Sequence, residues 1–337
     1  MNARRLSFTA PGSVAVRTAP VPGPGPDEVR VRTAVSAISA GTEGLLYRGE
    51  APADLEADAE LDALNGDLSY PLSYGYAAVG TVTAVGDRVD GDWLERQVFA
   101  YNPHESHFCR SPDELLPIPE TVDPREAALF ATLETAATFV LDGRPLLGER
   151  VAVFGQGVVG LLTTALLARF PLEELVVFDR YERRRELAAT FGADRALDPE
   201  GGDAAERFDE VAGGRADLTY ELSGNPDALD DAISTTGFDG RVLVGSWYGT
   251  KPATVDLGGR FHRNRIDVRS SQVSTIAPDL SGRWDRDRRH ETTWDRLREL
   301  ELPGLITHEF PLEDADEAYE RLENRPESTI QVLLTYD

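Results

Sequence analysis

At 337 residues, the chain is long enough for two domains, each with a full core. Hydrophobic residues make up 41% of it, which fits a soluble globular protein, and no run approaches the roughly 18 apolar residues that a membrane helix needs. A formal net charge of −25 repels nucleic acid and anionic membranes, and it argues against either as a partner. The basic side is unusual too: of 34 basic residues only Lys251 is a lysine. The N-terminus has arginines at Arg4 and Arg5 but then Ser7, Thr9 and Pro11 in place of an apolar signal core, so the expected location is the cytoplasm. A single cysteine, Cys109, permits no intramolecular disulfide and no four-cysteine zinc lobe.

Residues 6–35 alternate short apolar segments with Pro-Gly clusters, and 29–35 reads as a half-buried strand, so the N-terminal region is mostly β. Residues 49–67 are acidic and alanine-rich, with Leu55, Leu61 and Leu64 as the main apolar positions, which predicts an exposed helix or loop. Strands are expected at 76–85 and 97–101, and a helix over 127–141 that starts from Asp123-Pro124.

Next comes the most informative stretch. Residues 151–154 are apolar, Gly155-Gln156-Gly157-Val158-Val159-Gly160 follows, then a helical segment over 161–170, then an apolar run at 175–178 ending in Asp179. The order is strand, glycine turn, helix, strand, acid. The first glycines allow a tight turn and close approach of backbone to a pyrophosphate, Gly160 lets helix and strand pack closely, and the phosphates meet the helix N-terminus. Asp179 lies 19 residues beyond Gly160, near the spacing of about 20 for an acid that binds a ribose hydroxyl. This acid favours NAD, because it repels a 2′-phosphate, while Arg180, Arg183 and Arg184 beside it provide charges that suit NADP.

Further on, a helix is expected at 183–191, strands at 217–222, 241–245 and 266–269, and a helix at 227–235; the alternation predicts a parallel, helix-covered sheet. The segment 305–335 returns as strand, helix, strand. Two domains follow, the first discontinuous, with the site expected in the cleft between them.

Several motifs now coincide: Ile38-Ser39-Ala40-Gly41-Thr42-Glu43, Gly75-Tyr76-Ala77-Ala78-Val79-Gly80, the glycine turn, and 217–224 followed by 240–245. Together they resemble the medium-chain dehydrogenase/reductase superfamily, zinc-type alcohol dehydrogenase-like, over nearly the whole chain. Tyr74-Gly75-Tyr76 and Gly245-Ser246-Trp247-Tyr248-Gly249 are similar to a branch that includes hydroxyethyl bacteriochlorophyllide dehydrogenase. The resemblance implies an α/β fold: a GroES-like catalytic domain (residues 1–131 and 275–337) and a Rossmann doubly wound parallel sheet (132–274). It also implies homodimers or higher homo-oligomers, and cofactor contacts at Gly224, Val244 and Gly245. The acid-rich, lysine-poor composition resembles that of proteins from salt-in halophiles.

The departures from the family carry as much as the matches. Zinc members hold the metal with a cysteine, a histidine and a third ligand; the matching positions here are Ala40 (Ser39 with a one-residue gap), Tyr76 and Glu134. One carboxylate falls short of the three protein ligands of a catalytic zinc, so no family-type metal is expected. His104 and His107 flank an acid and could join Glu134 in a different metal site, but they fall after a strand end and read as surface histidines. Without zinc, hydrogen-bond donors must handle the alkoxide or carbonyl oxygen. Thr42 matches the family's hydroxyl relay or is a turn hydroxyl. Tyr76 or His104 is the expected proton donor or acceptor, the alternative for Tyr76 being a packed aromatic in the vacated metal position. Glu134 is either a buried acid paired with an arginine or a general base with a raised pKa. Tyr47, Tyr74, Trp247 and Tyr248 are the expected substrate contacts and suit a ring-bearing small molecule. The leading expectation is a zinc-independent NAD(P)-dependent oxidoreductase acting on an alcohol or carbonyl; the alternatives are an enone or quinone reductase and a non-catalytic nucleotide-binding module.

Overall fold

The computed structural model describes residues 2–56 and 66–337, and the chain divides into two compact units. The first unit holds Met1–Ala131, Trp294–Glu299 and Ile306–Asp337; the second holds Thr132–Thr293 and Leu300–Leu305. Residues 275–293 thus group with the second unit, whereas the sequence assigned them to the catalytic domain. Residues 57–65 of the expected acidic segment at 49–67, with Leu61 and Leu64, lie outside the described residues, and Leu55 is exposed.

The first unit opens with β1 (Asn2–Ala10), β2 (Ser13–Pro20), β3 (Val29–Ala37), α1 (Thr42–Arg48), β4 (Ala78–Val85), β5 (Gln97–Ala100), β6 (His107–Arg110), β7 (Leu115–Pro117) and the short α2 (Pro124–Ala127). The Asp123 side chain accepts from Arg125 N–H and caps α2, with Pro124 at the first helical position. The long helix expected over 127–141 is broken in two: α2 closes at Ala127 and α3 (Phe130–Gly143) begins three residues later.

The second unit contributes β8 (Arg150–Phe154), α4 (Val158–Leu167), β9 (Glu174–Phe178), α5 (Glu182–Thr190), β10 (Arg195–Leu197), α6 (Ala204–Ala212), β11 (Ala216–Glu221), α7 (Ala228–Thr235), β12 (Thr236–Val244) and β13 (Asp267–Ser270). Its six strands are all parallel and run in the order β10-β9-β8-β11-β12-β13. That is the doubly wound arrangement, with its switch point between β8 and β11. Strands buried on both faces read as continuous apolar runs, and Val151, Ala152, Val153 and Phe154 of β8 are all buried. The core below them joins Phe154, Val176, Phe178, Phe208, Ile233 and Val242.

After α8 (Arg286–Glu299) the chain returns through β14 (Ile306–Pro311), α9 (Ala315–Asn324) and β15 (Gln331–Thr335). In the first unit these strands complete a seven-stranded sheet of order β14-β15-β3-β4-β5-β7, with β6 paired to β3. One core of this unit gathers Leu6, Phe8, Ile38, Leu46, Leu312, Tyr319 and Val332, so the last thirty or so residues are packed against the first fifty.

Candidate functional site

In the second unit the chain leaves β8 at Gly155 with φ +88°, a conformation that glycine adopts without strain. A Cβ there would come within 2.4 Å of the Ser223 Cα, and one at Gly160 within 1.9 Å of the Gly155 carbonyl oxygen. These two glycines are fixed by packing inside the protein. Gly157 differs: a Cβ there would meet nothing within 4 Å. It caps α4 with no side-chain hydrogen bond, so the first amides of the helix have no capping side chain from it, and the dipole there favours an anion. Around this turn, Val158 is buried and Val159 half-buried. Gln156 turns its side chain inward, donating to the Gly155 carbonyl at 3.1 Å and accepting from Thr164 at 3.0 Å.

Asp179 stands at the end of β9. Its carboxylate accepts the Gln156 N–H at 2.7 Å and the Tyr181 N–H at 2.8 Å, one on each oxygen. Two bonds on a group with about four acceptor sites leave room for a ribose hydroxyl. Arg180 and Arg184 both lie over the Tyr181 ring, at 4.8 Å and 4.9 Å from its centroid, and Arg184 also stands 3.9 Å from Asp179. The residues present therefore fit a dinucleotide at every element of the turn.

At the end of β11, the fully buried Glu221 accepts the Ser223 N–H at 2.8 Å, the Ser223 hydroxyl, and the Tyr248 hydroxyl at 2.5 Å. The Tyr248 phenol is held neutral, pushed up by burial and then by the charge of Glu221. Its hydroxyl is tied to Glu221. Gly245 follows Val244 at the end of β12, where a Cβ would meet Phe139 at 2.4 Å. Trp247 is exposed.

The first unit holds a buried polar network. His104 is fully buried, which overturns the surface-loop expectation. The reason is local: its carbonyl accepts Leu6 N–H at 2.9 Å and its N–H reaches the Tyr74 carbonyl at 3.2 Å, pinning the loop inward. Gly75 makes the space, since a Cβ there would come within 2.8 Å of His104 Nε2. His104 Nε2 lies 2.9 Å from Glu43 Oε2, and Nδ1 lies 2.7 Å from Ser36 Oγ, which in turn meets the Tyr336 hydroxyl at 2.7 Å. Glu43 also accepts the Tyr319 hydroxyl and, at 2.7 Å, the Ser39 N–H. The Tyr76 hydroxyl donates to Ser39 Oγ. Tyr76 is only partly buried, as are Thr42, at the start of α1, and Tyr47, which stacks on Tyr319 with centroids 5.5 Å apart. Tyr74 is a core residue, 4% exposed, so its ring is packed where the sequence placed it against substrate.

The sequence passed over Glu43, Ser36, Tyr319 and Tyr336. Glu43 had a signal, its place in Gly41-Thr42-Glu43; the tyrosines lie some 280 residues away and had none.

The positions where the family holds zinc are occupied as follows. Ala40 offers no ligand, and Tyr76 is bonded to Ser39. Glu134, in the second unit, is a buried acid paired with Arg289 at 2.8 Å and contacted by His290 at 3.1 Å. His107 sits on β6, its imidazole pushed below its ordinary value by burial and by Arg30, Arg32 and Arg4. Among the described residues no three His, Cys, Asp or Glu side chains come together as a cation site.

The profile of the zinc-binding dehydrogenase family matches residues 158–286. D-guloside 3-dehydrogenase of Escherichia coli K12 is 25% identical over 92% of this chain and 93% of its own length. These matches liken the chain to the zinc-type alcohol dehydrogenase-like members of the medium-chain dehydrogenase/reductase superfamily. By the dehydrogenases that it resembles along its length, it is an oxidoreductase of the alcohol dehydrogenase type. Two crystal structures share this fold over 99% of both chains: a protein of E. coli CFT073 described as a short chain alcohol dehydrogenase, RspB, complexed with NADH (TM-score 0.80, 20% identity), and a protein of Sinorhizobium meliloti 1021 described as a zinc-binding dehydrogenase and bound to NADP (TM-score 0.80, 19% identity). Among the described residues no helix is long and apolar enough to cross a membrane.

Proposed function

We propose that this medium-chain dehydrogenase transfers hydride between NAD(P) and the alcohol or carbonyl of a ring-bearing small metabolite, and that it does so without zinc. One observation carries the reading: where the family's histidine ligand belongs, the Tyr76 phenol is hydrogen-bonded to Ser39. The amides at the start of α4 would hold the pyrophosphate and Asp179 a ribose hydroxyl, which favours NAD over NADP. The nicotinamide supplies the hydride chemistry.

The protein then has to move one proton and hold one oxygen. Tyr76 is a partly buried member of its network, so its hydroxyl can meet a substrate oxygen, donating to a carbonyl or accepting from an alcohol. Ser39 Oγ fixes the phenol's direction, and Thr42 on α1 supplies a second hydroxyl to relay the proton. His104 has no exposed surface, so its part is to support Glu43. D-guloside 3-dehydrogenase, by its name, acts on a sugar derivative, and this supports a cyclic polyol as the substrate class. Relationship to the branch containing hydroxyethyl bacteriochlorophyllide dehydrogenase would favour a larger ring.

The test combines metal analysis with one variant. Enzyme dialysed against chelator in molar salt should keep its activity with cyclic secondary alcohols. Tyr76→Phe should lose about 10²–10⁴ in kcat with an unchanged Kd for NADH. Stoichiometric zinc required for turnover, or wild-type rates in Tyr76→Phe, would sink the proposal.

A further inference from the structure

Lys251 is the sole lysine among 34 basic residues, in a chain with 59 acidic ones. Among the described residues it forms no ion pair; its Nζ donates to the Gly224 carbonyl at 2.9 Å. An ammonium facing a carbonyl while carboxylates abound is placed for a counter-charge that the protein does not itself provide. Three N–H donors sit on that nitrogen, and Gly224 takes one.

The surroundings say which ligand. Gly224 follows β11, has φ +70°, and a Cβ there would meet nothing within 4 Å, the same openness as at Gly157. The loop carrying it lies against the phosphate turn, since the Cβ of a residue at position 155 would strike Ser223. Strand β11 is also the neighbour of β8 at the switch point of the sheet. Two more bonds staple the 245–251 segment to this loop: Gly224 N–H to Ser246 Oγ at 2.9 Å, and Tyr248 to Glu221. With Asp179 holding the adenosine side on β9, the other half of a dinucleotide runs toward β11 and β12, where Lys251 waits.

We propose that Lys251 is a cofactor-binding residue, its ammonium bridging the Gly224 carbonyl and the nicotinamide-side phosphate and ribose of the dinucleotide. This rests on the NAD(P) reading. A compact ammonium suits the place better than a planar guanidinium because it can direct its donors at a carbonyl and at ligand oxygens together.

Two measurements in about 2 M KCl test it. Calorimetry on Lys251→Met should show NADH and ADP-ribose bound about 10- to 100-fold more weakly, the usual effect of losing a charge-assisted hydrogen bond, with AMP affinity unchanged because AMP carries only the adenosine half. That unchanged AMP affinity also reports an intact fold. Reductive methylation of the wild type, read by mass spectrometry, has one side-chain target; Lys251 should be protected by NADH and ADP-ribose but not by AMP, with the N-terminal amine labelled throughout. Unaltered NADH affinity in the variant, equal loss for AMP, or labelling indifferent to NADH would each overturn the assignment alone. A wild type that binds neither NADH nor ADP-ribose would overturn the dinucleotide reading with it.

Discussion

Tyr319 shows how one side chain couples the two ends of the first unit. Its hydroxyl donates to Glu43 from 276 residues away, and Glu43 also holds His104 and the Ser39 amide. Burial, and next the negative charge of Glu43, push this phenol well above its ordinary value. A group whose folded pKa lies above its unfolded value contributes stability that is complete below the unfolded pKa, about 10 for tyrosine, and is lost as pH rises through the folded value. The enzyme should therefore lose stability above about pH 10, and Tyr319→Phe should flatten that decline. At neutral pH the variant leaves Glu43 short of one donor and should cost about 1–3 kcal/mol. Denaturant midpoints at pH 7 and pH 10.5 check both; a variant with the wild-type alkaline slope would remove Tyr319 as its origin. None of this was legible beforehand, because nothing local in sequence links residue 319 to residue 43, and the position of His104 depends on Gly75 leaving a gap that only the folded chain defines.

At the scale of elements, the β8–turn–α4 unit was legible nearly residue by residue. Its signals are local: an apolar run, glycines at fixed spacing, a second apolar run and an acid. The sequence did not separate the roles of the glycines, and the structure does. Gly160→Ala places a methyl on the Gly155 carbonyl and should lower stability by about 1–3 kcal/mol together with cofactor affinity. Gly157→Ala places its methyl in open space; the melting midpoint should hold to within about 2 °C while NADH affinity falls at least tenfold, if, as proposed, that space is where phosphate approaches the helix. Thermal melts and NADH fluorescence titrations on both variants separate the two cases, and equal loss of stability in both would contradict the geometry. Other elements escaped the sequence reading for physical reasons. Helix α8 is so rich in charge that only Trp294, Leu297 and a few polar residues are buried, too few to mark a period. Helix α6 is short, and the α2–α3 break falls inside an unbroken apolar stretch over 127–131.

For the molecule as a whole, charge outweighs any single contact. A surplus of acids giving −25 makes the compact state repel itself at low ionic strength. Salt shortens the screening length from about 10 Å at 0.1 M to about 3 Å at 1 M. Salt also weakens exposed ion pairs such as Arg88–Asp27 and Arg298–Asp295, but each of these is worth at most about 1 kcal/mol. The balance should favour the folded state as salt rises, which is the physical content of a halophilic assignment. Raising KCl from 0.1 M to about 2 M should stabilise the protein by on the order of 2–3 kcal/mol, raising the melting midpoint by roughly 5 °C or more. Scanning calorimetry across the salt series measures it. The rise should be steepest at the low end, where screening changes most; a midpoint that stays flat or falls would show that self-repulsion of the acidic surface does not limit stability, and the high-salt habitat would lose its support.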